Sequence, residues 1–189
     1  VLQARYEALR TARAERAGLK PAEQVLRLIQ LTQQHRGLSN GALSDNTQFI
    51  AQREKKQVEV QDRLKQALQA TQALATSAND TKLAPLTAQI ENDWQALAAQ
   101  VAAPGAKAAD SFRNHTALIA RQLGLLNQVL DTSTLTLDPE ASSYYLMSGT
   151  LDQLPALTES LGQARAVGAS GMQKDELVKA VKDVFGIKD

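Results

Sequence analysis

Between Thr47 and Ser77 the chain runs without Pro or Gly, and its weakly polar stripe Ile50, Gln57, Val60, Leu64, Ala67, Thr71, Leu74 recurs at three-and-four spacing. That period belongs to an α-helix, and at ~1.5 Å per residue it predicts a rod some 45 Å long. A rod of this length is difficult to enclose in a globule and easy to place in an elongated bundle. Arg53, Glu54, Lys55, Lys56, Glu59 and Asp62 fall largely outside the stripe and are expected to form a solvated face.

The other segments repeat the pattern, with Pro and Gly as punctuation and hardly any alternating strand-type run, so the expected fold is an all-α, elongated antiparallel bundle of long helices. A first helix is expected from Leu2 to Ala17, stopping at Gly18, with Pro21 in the first turn of a second helix that reaches about Ser44. After the long third helix, Pro85 opens a shorter one through Trp94 to Val101. A fifth, about Asp110 to Asp131, carries Phe112, His115, Ile119, Gln122, Leu126 and Val129 inward. Asp138-Pro139 has the cap-then-proline form of a sixth helix start. Its inner line is expected to be Met147, Leu151, Leu154, Thr158, Leu161, Arg165, Gly168 and Met172, with Pro155 kinking or dividing it. Residues 174–189 are expected to form a short terminal amphipathic helix, and the whole of 1–189 a single domain.

Composition narrows function mainly by exclusion. The 189 residues carry 21 Lys+Arg against 20 Asp+Glu, so there is no basic field to hold a nucleic-acid backbone. With no cysteine there is no disulfide, thiolate zinc site or Cys nucleophile. Aromatics make up 4% of residues, which disfavours a deep pocket for a flat cofactor. No apolar run reaches the ~18 residues a bilayer span needs, and Val1 to Arg10 lacks a signal-peptide pattern, which predicts a soluble segment. Phosphate loops, His-Glu-x-x-His and nucleophile elbows are absent, so no catalytic residue, cofactor or enzyme activity is expected. His35 and His115 would form two ligands of a metal site if their helices met. A site needs three or more, so they are read as packing residues and no metal is expected.

Two arginines break the bundle pattern. Arg36 lies on the line Val25, Ile29, Thr32, Arg36, Ser39, Leu43, and Arg165 on the line Leu154, Thr158, Leu161, Arg165, Gly168, and neither has a carboxylate one turn away on its own helix. A buried guanidinium needs a partner, so each requires an acid from another helix or a bound anion. Small and hydroxyl residues follow both: Gly37, Ser39 and Gly41 after the first, Gly168, Ser170 and Gly171 after the second. Two readings stay open. In one, the two forked donors face a single small cavity suited to nitrate or a carboxylate, with Thr32, Ser39 and Thr158 as supporting donors. In the other, they pair with acids such as Asp131 or Asp152, or snorkel to the surface. Tyr144-Tyr145 is read as a core-and-rim pair.

The stretches RAERAGLKPAEQVLRLIQLTQQHRGLSNGALSDN and LTLDPEASSYYLMSGTLDQLPALTESLGQARAVGASG resemble the helical ligand-sensing region of bacterial methyl-accepting chemotaxis proteins and related sensor kinases and diguanylate cyclases. The pattern is also similar to nitrate- and nitrite-sensing (NIT) helical domains, in which arginines after such Gln-rich turns hold the anion between long helices. Carried over by residue, that resemblance touches Arg36 and Arg165. His35 stands before Arg36 where those domains more often have an acidic or other polar residue, a departure that bears on nitrate as the ligand. The resemblance implies a periplasmic bundle on a bacterial inner-membrane receptor, homodimeric, joined to cytoplasmic signalling domains through flanking membrane helices. Ligand binding would then displace long helices by small amounts. Such receptors usually continue through further long helices into a second membrane segment, so a chain ending at Asp189 is expected to be a truncated ectodomain. The alternative is a helical interaction or dimerisation module without a small ligand, or a sensor that engages a periplasmic binding protein.

Overall fold

In a computed structural model of the chain, residues 2–44, 46–135 and 147–169 are described, without the side chains of Leu2, Ala4, Ser148, Asp152 and residues 165–169. Four long helices follow one another: α1 (Leu2–Ala42), α2 (Gln48–Ala78), α3 (Leu83–Ala102) and α4 (Ala108–Thr132). A π-helical turn, Ser148–Gln153, then leads into α5 (Leu154–Ala169). The connections between the first four are short, so sequence neighbours run antiparallel, and α1 packs on both α2 and α4 to close the bundle. Among the described residues there is no strand, and no helix is long and apolar enough to cross a membrane. The expected all-α bundle is the observed one.

The helix-period stripes form its core. Val60, Leu64, Ala67 and Leu74 of α2 meet Val25, Leu28 and Ile29 of α1, Ile90, Trp94 and Leu97 of α3, and Ile119, Leu126 and Val129 of α4. Asn79 ends α2 in the left-handed region at φ 53°, and the amide of Asp80 reaches back to the Ala75 carbonyl. The Asp80 carboxylate then accepts from the amides of Lys82 and Leu83 at the start of α3, and from Thr132 Oγ1 at 2.7 Å at the end of α4. Burial opposes its ionisation, but these donors win and hold the carboxyl below its ordinary value.

Three local expectations are corrected. Gly18 and Pro21 do not divide the chain, since α1 is one helix from Leu2 to Ala42 with Pro21 inside it. Gly18 serves a close approach: a Cβ there would lie 2.1 Å from Ser133 Oγ, so the absent side chain admits the turn that comes after α4. Pro21 cannot donate to the Ala17 carbonyl, but its ring is buried against the bundle. Arg53 is the second correction: it belongs to no solvated face but is 8% exposed, with Nη1 donating to the Val101 carbonyl at 3.1 Å.

The third concerns the last helix. The π turn before Pro155 inserts extra residues per turn and rotates the residues beyond it. Met147 and Leu151 do pack on the core, but the buried positions beyond them are Pro155 and Glu159, while Leu154, Thr158 and Leu161 are exposed. Pro155 thus produces a widened turn in place of a simple kink, in keeping with the amide it lacks. The expected Asp138-Pro139 cap, Tyr144-Tyr145, Met172 and the helix at 174–189 lie outside the described residues.

Candidate functional site

Successive residues on a helix point ~100° apart, and α1 uses this at His35 and Arg36 to build two different polar environments. His35 faces the bundle axis. It is fully buried, its ring edge-on to Trp94 at 5.1 Å, and its Nδ1 lies 2.8 Å from His115 Nε2 on α4. His115 Nδ1 is 2.7 Å from the Ser111 carbonyl, which can only accept. Nδ1 of His115 therefore carries the proton, its Nε2 accepts, and His35 donates from Nδ1. His35 Nε2 is left as a buried acceptor without a hydrogen-bond partner. Burial first, then the charges of His115 and Arg53, push His35 down to about 3. Burial likewise pushes His115 down to about 4, against the Ser111 carbonyl, which favours its charged form. The pair is neutral at neutral pH. Among the described residues no group of three or more His, Asp or Glu is placed to hold a metal ion.

Arg36 faces the groove between α1, α4 and α5. The side chain is 3% exposed and holds Glu159 of α5 through two parallel bonds, Nη1 to Oε1 at 2.6 Å and Nη2 to Oε2 at 3.1 Å. Nη1 also donates to Thr116 Oγ1 at 3.0 Å, and the guanidinium lies over the Phe112 ring at 5.1 Å. The α5 backbone comes close to it, since a Cβ on Gly162 would sit 3.0 Å from Nη2. Beside this pair opens a cavity of about 530 Å³ lined by Gln30, Gln34, Gly37, Asn40, Thr158 and Leu161 among others. A second cavity of about 630 Å³ adjoins it, sharing Gln30, Gln33 and Thr158 and bringing in Arg27 and Arg63.

Only some of the residues expected from the sequence come together here. Arg36 and Thr158 reach one cavity, although the Thr158 hydroxyl donates to the Pro155 carbonyl at 2.8 Å. Thr32 and Ser39 lie behind them in the bundle: Thr32 Oγ1 bonds the Leu28 carbonyl and Gln122, and Ser39 Oγ lies 3.5 Å from His35 Nδ1. Arg165 falls on α5, but its side chain lies outside the described residues, as do Ser170 and Gly171. The acid that Arg36 meets is not Asp131, and the Asp152 side chain lies outside the described residues. That acid is Glu159, brought inward by the rotation at the π turn.

The segment that carries this geometry is the one that matches known sequences: a family model described as nitrate and nitrite sensing (NIT) covers residues 27–183. The chain belongs to the NIT family. Among curated proteins and solved structures no match is found. As a NIT domain the chain is a sensing module, and the match spans α1 from Arg27 onward, all of α2 to α4 and α5. Sequence patterning missed polar residues that surround Arg36 at this candidate site. Glu159 is hidden by the changed helical phase, while Gln33 and Thr116 carry no signal until helices 80 or more residues apart are placed side by side.

Proposed function

We propose that this NIT domain is the extracytoplasmic ligand-sensing part of a bacterial transmembrane receptor, a chemoreceptor or sensor kinase, and that it binds nitrate or nitrite between α1 and α5. The observation that carries this is Arg36: a buried guanidinium beside a cavity of about 530 Å³, within the segment matched by the nitrate- and nitrite-sensing family. A guanidinium fork suits a planar oxyanion, whose two oxygens it meets with parallel N–H bonds. The adjoining amides of Gln30, Gln34 and Asn40 offer neutral donors that add no competing charge. Thr158 supplies a hydroxyl at the cavity wall. Arg165 is assigned as the second arginine from the family resemblance, while Thr32 acts from behind by fixing α1 to Gln122 of α4, and Ser39 stands beside His35 on α1.

The domain works as a homodimer in this reading, and binding shifts α5 along α1, a displacement that long helices pass to cytoplasmic signalling parts through flanking membrane helices. Tyr6 and Leu9, both more than half exposed on the N-terminal part of α1, support a helix partner there. No catalytic step is assigned. Thermal-shift measurement with nitrate, nitrite and simple carboxylates tests the proposal. Nitrate or nitrite raises the unfolding temperature of the parent domain, and both Arg36→Ala and Arg165→Ala abolish that rise while keeping a helical spectrum.

A further inference from the structure

We infer that Glu159 is a built-in competitor for the anion site: its carboxylate occupies the donor set that a planar oxyanion takes on Arg36, and ligand enters by displacing it. This rests on the anion-site assignment above and adds how that site is regulated. The Glu159 side chain is 8% exposed, and its carboxylate receives two donors on each oxygen. Oε1 accepts from Arg36 Nη1 at 2.6 Å and from Gln163 Nε2 at 2.8 Å. Oε2 accepts from Arg36 Nη2 at 3.1 Å and from Gln33 Nε2 at 2.9 Å. A guanidinium fork flanked by two amides is a cradle for a flat, singly charged group with two oxygens on one edge. A carboxylate, nitrate and nitrite all have that shape and charge.

Charge makes the exchange one-for-one. With Glu159 in place the site is neutral, and a second anion beside it would meet a carboxylate in a poorly solvated groove. With Glu159 withdrawn, the incoming anion restores the balance and takes over the α1 donors, the Arg36 guanidinium and the Gln33 amide. The withdrawal has a mechanical consequence, because Glu159 and Pro155 are the buried residues of α5 among those described, and Glu159 makes the only ion pair from α5 to the bundle among them. Gly162 leaves no side chain between the α5 backbone and Nη2, so α5 covers the guanidinium closely while Glu159 holds it. Ligand binding and the shift of α5 along α1 are one event, and affinity is reduced by the fraction of molecules in which Glu159 holds the site.

Calorimetric titration of sodium nitrate and sodium nitrite into the parent domain and into Glu159→Gln, at matched ionic strength, tests this. The amide keeps the shape and removes the charge, and binding tightens about tenfold or more if the site is closed nine times in ten. Glu159→Asp, too short to engage both Nη atoms, gives a smaller tightening and serves if the Gln variant does not fold. Unchanged or weaker binding by the folded variants, with the parent binding, overturns the competitor and leaves the anion sensor standing. Binding by the variants alone supports the competitor and removes nitrate and nitrite as ligands of the parent. No binding by either protein overturns both.

Discussion

Arg36 and Glu159 form a buried pair, and the two ways of breaking it have different costs. Arg36→Ala leaves a carboxylate with two amide donors and no countercharge, a strain limited by its escape when α5 shifts, so we expect a loss of about 1–2 kcal/mol in chemical unfolding. Replacing both, as Arg36→Met with Glu159→Leu, removes the stranded charge and recovers most of that stability, while nitrate and nitrite stabilisation stays lost. Equal destabilisation in the single and double variants would show that packing, and not charge, governs this contact. At His35 and His115 the effect is one of pH. Both are held neutral in the folded state, at about 3 and about 4, whereas in the unfolded chain they take up protons below about 6.5. Stability is therefore fully present above that value and falls as the pH drops, by about 2 kcal/mol per ring between about pH 7.5 and about pH 5. Urea unfolding across this range measures it, and His35→Leu with His115→Leu flattens the dependence. The sequence shows both histidines on helices and Arg36 on an inward line. It does not show that position 35 meets position 115, because the register between α1 and α4 is set by packing along their whole length.

Helix α1 illustrates why local punctuation misleads. Gly and Pro three residues apart have the form of a stop and a restart, but tertiary contact overrides it: Gly18 is where the turn at Ser133 presses against α1. Gly18→Ala forces a Cβ to 2.2 Å from Ser133 Cβ and is expected to cost about 1–3 kcal/mol. Ser133→Gly in the same chain restores part of this, whereas Ser133→Ala keeps the clashing atom and restores none, as thermal melts of the three variants would show. In α2, α3 and α4 the amphipathic stripes place the boundaries within a residue or two, since no contact competes with the pattern there. The last helix is different. A 3.6-residue period carried through the π turn points Thr158 and Leu161 inward, while the wider turn delivers Glu159. Gly162→Ala crowds Arg36 Nη2 in the state where Glu159 holds it, and is expected to tighten nitrate binding with little change in the melting temperature of the bundle. An equal loss of stability and binding would point to general unpacking of α5.

At the level of the whole molecule, a four-helix bundle carries a fifth helix through a contact that is largely polar. The core of α1 to α4 is apolar and closed, whereas α5 rests on Pro155 and a carboxylate. Such an attachment is exchangeable in a way a packed apolar seam is not, and it lies along the C-terminal half of α1, where the Arg36 cavity opens. The near-neutral total charge of the chain conceals this arrangement, which depends on where a few charges sit and not on their sum. Nitrate titration calorimetry of the parent domain alongside Arg36→Ala decides whether this guanidinium is the anion's clamp. Saturable binding, one anion per domain, is expected for the parent and none for the folded variant. Equal binding by both proteins would place the anion elsewhere and remove Arg36 from the site.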